Sequence, residues 1–175
     1  FPAEDGIRDT SRGLVGSEMC IRDRAQGDAL PQILEHVQQQ TYDLVIADTA
    51  PHSSADAVIC ARLADHVMIP TRPAILDLDA IGATTEIVKE ISGSSAIVLN
   101  ACPPPRQFGE SHIVTEAREA LKYYGLPVCE VAVSQRAAFS HALIDGRSVA
   151  EFDSGGKATH EIARLWDNIK QDIGL

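Results

Sequence analysis

The sequence predicts an α/β domain with a doubly wound, mostly parallel sheet. Three observations lead there. Residues 44–47, 67–70, 96–100 and 128–133 are short apolar runs rich in β-branched residues, the pattern of strands buried on both faces. The stretches between them carry apolar residues at helical spacing. The runs also lie too far apart for hairpins, so helical crossovers must join them and the strands run parallel.

Taken in order, residues 29–40 place Leu30, Ile33, Leu34 and Val37 on one helical face, with Asp28 positioned as an N-cap and Pro31 in the first turn. The first strand, 44–47, is preceded by Tyr42 and Asp43, ends at Asp48 and is stopped by Pro51. After a polar turn at 52–54, a helix over 54–64 carries Val58, Ile59, Ala61 and Leu63. The strand at 67–70 runs out into Thr71, Arg72 and Pro73, and a longer helix over 77–91 repeats Leu78, Ile81, Thr85 and Val88. The strand at 96–100 ends in Asn100, and Pro103, Pro104 and Pro105 force a loop. A helix over 111–124 is stopped by Gly125. Then come the strand at 128–133, a helix over 137–143, a loop through Gly146, and a last helix over 157–173 with Ile162, Leu165, Trp166 and Ile169 facing inward.

Composition narrows the classes. The 175 residues suit one sizeable core, and the net charge of −10 weighs against broad nucleic-acid binding. No apolar run approaches the ~20 residues that span a bilayer, and no signal peptide is visible, so the expected location is the cytoplasm. Cys20, Cys60, Cys102 and Cys129 form no CxxC pair and read as free thiols. The six histidines form no HxH or HExxH pair, and no serine sits in a GxSxG elbow.

Residues 1–24 lack hydrophobic periodicity, and 4–24 resemble translated sequencing-adaptor sequence. They are expected to be a disordered or artefactual leader, with the domain at 25–175.

An acid where a buried strand ends in an open α/β sheet is placed to hold Mg²⁺ beside a nucleotide; the plainer reading of Asp48 is a turn cap. The segment 42–51 (Tyr-Asp-Leu-Val-Ile-Ala-Asp-Thr-Ala-Pro) resembles the Walker B strand and switch II entry of ParA/MinD-type ATPases. Residues 64–73 (Ala-Asp-His-Val-Met-Ile-Pro-Thr-Arg-Pro) resemble the family's next strand, and 97–100 the strand whose terminal Asn reads adenine. Residues 134–139 and 146–149 resemble its adenine-flanking loop and the turn before its last helix.

The resemblance covers about 29–173 and is nearest to plasmid and chromosome partitioning proteins. It implies a P-loop NTPase-like fold and, in an intact parent, ATP and Mg²⁺. Asp48 would then be the Mg²⁺ ligand, and Thr49, Asn100, Ser134, Gln135 and Arg136 would lie at the nucleotide. It further implies an ATP-dependent homodimer with a ParB-like partner and nonspecific DNA. For DNA, Arg136, Arg147, Lys157, Arg164 and Lys170 are diluted by Glu151, Asp153, Glu161, Asp167 and Asp172, which reads as a solvated face.

One departure limits the resemblance. The family's Lys-Gly-Gly-x-Gly-Lys-Thr phosphate loop has no counterpart, and no lysine precedes Lys89. The chain therefore reads as the C-terminal part of such an ATPase, lacking the first strand and phosphate loop, and is expected not to hydrolyse ATP. Two competing readings are a receiver-type phosphoacceptor module, with Asp48 as acceptor, and a non-catalytic α/β interaction domain. A receiver needs an acidic pair after its first strand and a Lys after its last, and neither is found.

Overall fold

The computed structural model describes residues 30–39, 42–49, 54–91, 93–105, 109–144 and 146–174. The expected leader at 1–24, the Asp28 cap and the turn at 50–53 lie outside them. The chain divides into two compact units, 1–60 and 61–175.

In the first unit, α1 (Leu30–Gln38) forms where the apolar spacing predicts it, with Ile33 and Val37 half-buried. The expected buried strand at 44–47 is a correction. Residues 42–49 adopt neither helix nor strand, and Leu44, Val45 and Ile46 are exposed, Ile46 by 80%. A strand is stabilised by ladder hydrogen bonds and by cover on both faces. Among the described residues, no strand pairs with 42–49, so β-branched content alone does not make this run a strand. The helix α2 (Ser54–Leu63) follows as expected.

In the second unit, β1 (Val67–Thr71) and β2 (Ser95–Leu99) pair in parallel, Val67 opposite Ser95 through Thr71 opposite Leu99. Between them the expected single helix is two, α3 (Ile75–Ala80) and α4 (Gly82–Ile91). The break has a packing cause. The Tyr124 hydroxyl donates to the Leu78 carbonyl at 2.7 Å, taking an acceptor from the end of α3. The same ring packs over Gly82, 3.4 Å from where a Cβ would stand, an ordinary van der Waals contact. The predicted apolar face survives the break: Ile81, Thr85 and Val88 are buried.

Helix α5 (His112–Leu121) continues as a 3-10 turn to Tyr124 and ends at Gly125, whose φ of 67° is left-handed. That conformation is open to glycine without a Cβ penalty. The chain then returns along β2 on the side away from β1. Ile97 N–H donates to Pro127 O and Cys129 N–H to Ile97 O, both at 2.8 Å; Val133 N–H then donates to Leu99 O at 2.9 Å. From Cys129 to Val133 this segment uses four residues where β2 uses two. The strand expected at 128–133 is thus not a continuous one: isolated parallel bridges join Val128 to Ile97 in β2 and Ser134 to Cys102 beyond it, with a bulged segment between.

Helices α6 (Ala137–Ile144), α7 (Val149–Phe152) and α8 (Lys157–Ile173) complete the unit. A Ser148–Glu151 capping box starts α7, a short helix the spacing does not reveal. On α8, Leu165, Trp166 and Ile169 are half-buried, whereas Ile162 is 37% exposed. The core centres on β2, where Ile97 and Leu99 are fully buried, with Ile69, Val88, Val114 and Leu121 packed around them.

Candidate nucleotide-base site at the carboxyl ends of the strands

Parallel α/β sheets bind ligands outside the carboxyl ends of their strands. In the second unit three such ends lie side by side: Thr71 and Arg72 after β1, Asn100 and Ala101 after β2, and Ser134, Gln135 and Arg136 after the bulged segment. The Asn100 N–H donates to Thr71 O at 2.8 Å, and the Gln135 N–H to Cys102 O at 2.8 Å, so the three ends are tied by backbone.

Asn100 is exposed, and its Oδ1 accepts the Ala101 N–H at 2.8 Å. Ala101 holds φ at 51°, the one described non-glycine residue with positive φ. The side chain thus caps a left-handed turn, as a strand-end Asn can, and its carboxamide nitrogen makes no hydrogen bond among the described residues. Thr71 is buried; Arg72 is exposed.

Residues 134–136 divide in role. Ser134 is buried; its N–H and Oγ donate to Glu161 at 3.0 and 2.8 Å. Arg136 forks onto the same carboxylate, Nη2 to Oε1 at 2.5 Å and Nε to both oxygens at 3.2 Å. Gln135 presents an exposed side chain. Burial works to raise the Glu161 pKa, but the hydrogen bonds from Arg136 and Ser134 outweigh it and hold the carboxyl below its ordinary value. Glu161 and Arg136, expected on a solvated face, are instead a clasped pair whose side chains are 14% and 18% exposed.

Two further residues are placed by the fold. Arg118 reaches from α5 to the bulge, donating to Cys129 O and Glu130 O at 2.7 Å each, with Glu110 on its other edge. Glu161 does carry a sequence signal: it lies on α8 at helical spacing from Ala158 and Leu165, an acid on an otherwise apolar stripe.

Beneath the site, burial pushes the Cys102 thiol up to about 11, Arg118 opposing weakly, so it stays protonated near neutrality. Cys60, Cys102 and Cys129 are free thiols, and no cluster of metal-ligating side chains occurs among the described residues. A concavity lined by Lys89, Ser94, Ser95, Pro127 and Asp172 lies at the opposite, amino ends of the strands.

Asp48 and Thr49 lie in the first unit, exposed. Their oxygens are of the hard type that Mg²⁺ takes. The donor set at the carboxyl ends suits a base: a carboxamide nitrogen on Asn100 and a free carboxamide on Gln135. It does not suit a triphosphate. No Gly-rich loop of N–H donors is present, no lysine precedes Lys89, and the guanidinium of Arg136 is occupied by Glu161. No step of ATP hydrolysis follows from these residues.

The architecture defines the class: an α/β, P-loop NTPase-like fold with a parallel sheet. The solved cell division ATPase MinD of Pyrococcus furiosus matches it with a TM-score of 0.65, over 82% of this chain and 57% of that one, at 16% identity. Sequence relatives narrow it. The chain is similar to the maintenance of carboxysome distribution protein A of Gloeobacter kilaueensis, 32% identical over 145 residues, covering 82% of this chain and 65% of the relative. It is also similar to the protein of the same name from Halothiobacillus neapolitanus, 28% identical over 140 residues, covering 75% and 62%. The chain thus spans a little under two thirds of the length of these curated relatives. No protein-family model matches it. No helix among the described residues is long and apolar enough to cross a membrane.

Proposed function

We propose that the chain is the nucleotide-base and core portion of a ParA/MinD-type positioning ATPase, and that its parent distributes a large cargo of the carboxysome kind. The observation that carries this reading is the similarity over 82% of the chain to a protein that maintains carboxysome distribution. It is supported by a sheet whose carboxyl ends offer Asn100 and Gln135 to a base. In the parent, ATP with Mg²⁺ bound near Asp48 and Thr49 would join two protomers, and hydrolysis would part them. Plasmid or chromosome cargo, with a ParB-like partner, is the narrower alternative. Nonspecific DNA is a weaker partner still, given the net charge of −10 and the pairing of Arg136 with Glu161 and Lys170 with Asp167. Within this reading the nucleotide-binding domain lies in residues 25–175.

The test supplies a first strand and a Lys-Gly-Gly-x-Gly-Lys-Thr loop upstream of residue 29. The fusion should dimerise with ATP and magnesium but not with ADP, and Asp48→Ala should abolish turnover while dimerisation is read separately. Imaged in a carboxysome-forming cell lacking its own distribution protein, it should restore even spacing. A fusion that binds ATP no better than the chain alone, or turnover indifferent to Asp48→Ala, would refute the reading. Phosphorylation of Asp48 by a small phosphodonor would point instead to a receiver.

A further inference from the structure

We infer that Glu161 is a positioning residue. It clasps Ser134 and Arg136 to helix α8, so that Gln135 and Asn100, not Ser134 and Arg136, are the side chains offered to a base. This rests on the nucleotide reading proposed above and assigns roles within it.

The argument is one of valence. The loop at 134–136 offers three side chains at the carboxyl end of the sheet. Glu161 takes the Ser134 N–H, the Ser134 Oγ–H and the Arg136 fork on its two oxygens. A carboxylate has about four acceptor positions, so these contacts occupy most of them. Arg136 Nη2 also lies 3.4 Å from Ser134 Oγ, which closes the group on itself. Freeing Ser134 or Arg136 for a ligand would leave a half-buried carboxylate without its partners, which is unfavourable. Gln135 lies between them and is not held: its backbone N–H is fixed to Cys102 O at 2.8 Å, and its side chain is exposed. The clasp therefore fixes the backbone on both sides of Gln135 and leaves its carboxamide free, beside the Asn100 turn. It also ties the loop at 134–136 to α8.

The test is amide exchange by NMR on the ¹⁵N-labelled chain, with adenosine and guanosine as probes. Glu161→Gln, which keeps the shape and removes the charge, should speed exchange at the Ser134 amide about tenfold while Ile97 and Leu99 in β2 stay within about twofold, the pattern of local rather than global opening. Adenosine should shift the Asn100 and Gln135 amides of the unaltered chain more than guanosine does, and this difference should fade in Glu161→Gln. Should that variant unfold, Arg136→Lys, which keeps the charge and loses the fork, gives the same reading with a smaller rise, about threefold. Unchanged Ser134 exchange, or parallel acceleration at Ser134, Ile97 and Leu99, overturns the positioning role. No adenosine shift in the unaltered chain, with the exchange result intact, overturns the nucleotide reading alone and still supports the clasp.

Discussion

Replacing Arg118 by Ala should cost more stability than any other surface-reaching charge in the second unit. Arg118 sits on α5 with its side chain 19% exposed. Its Nη1 donates to Cys129 O and its Nη2 to Glu130 O, each at 2.7 Å, where the segment after Val128 bulges away from β2. A hydrogen bond from a charged donor contributes about 1.5–3 kcal/mol when its partner is shielded. Cys129 is half-buried, so its carbonyl falls near that range. Glu130 is exposed, and water can replace the guanidinium there for a loss of about 0.5–1 kcal/mol. The Glu110 pair, with that carboxylate 39% exposed, adds about 0–1 kcal/mol. The sum is a loss of about 2–5 kcal/mol, or roughly 8–20 °C in Tm at about 4 °C per kcal/mol. Urea titration followed by circular dichroism measures it, with Arg118→Lys recovering less than half, since an ammonium cannot reach both carbonyls in one plane. Two results would refute the reasoning: a loss below about 1 kcal/mol, or Glu110→Ala costing as much as Arg118→Ala. The second would place the energy in the ion pair and not in the bulge carbonyls.

Four other outcomes are expected. Because the folded Glu161 pKa is depressed, its stabilisation is present above the unfolded carboxyl value of about 4.3 and is lost as pH falls through the folded value below it. The penalty of Glu161→Gln should therefore be larger at neutral pH than near the folded pKa, and a constant difference in urea midpoint across that range would contradict the clasp. Ala101→Gly should raise stability by about 0.5–1 kcal/mol, since it relieves a Cβ at φ 51°. Asn100→Ala should lower stability by about 1 kcal/mol through the lost cap on the Ala101 N–H; paired thermal melts decide both. Finally, the chain alone should show no magnesium-dependent ATP turnover, and measurable turnover abolished by Asp48→Ala would contradict the absence of a phosphate site.

The sequence by itself determined the α/β class, the parallel pairing of the strands that end at Thr71 and Asn100, and the positions of most helices. These follow from local rules: Ile97 and Leu99 lie in an unbroken apolar run, Thr85 and Val88 recur at helical spacing, and Gly125 supplies the left-handed stop. It also located the carboxyl-end residues, because a strand's polar terminus is written in the chain. What it could not determine depends on partners distant in sequence. The run at 44–47 has strand chemistry, yet pairing is a property of two segments, and among the described residues 42–49 has no partner. At the split between α3 and α4 the Leu78 carbonyl accepts from Tyr124, 46 residues on, and the bulge after Cys129 is held by Arg118 from α5. Glu161 read as one solvated acid among several. Only the tertiary structure brings Ser134 and Arg136, 27 and 25 residues away, onto its two oxygens. Whether a charge is solvated or clasped is set by what the fold places within 3 Å of it, and helical periodicity alone carries no record of that.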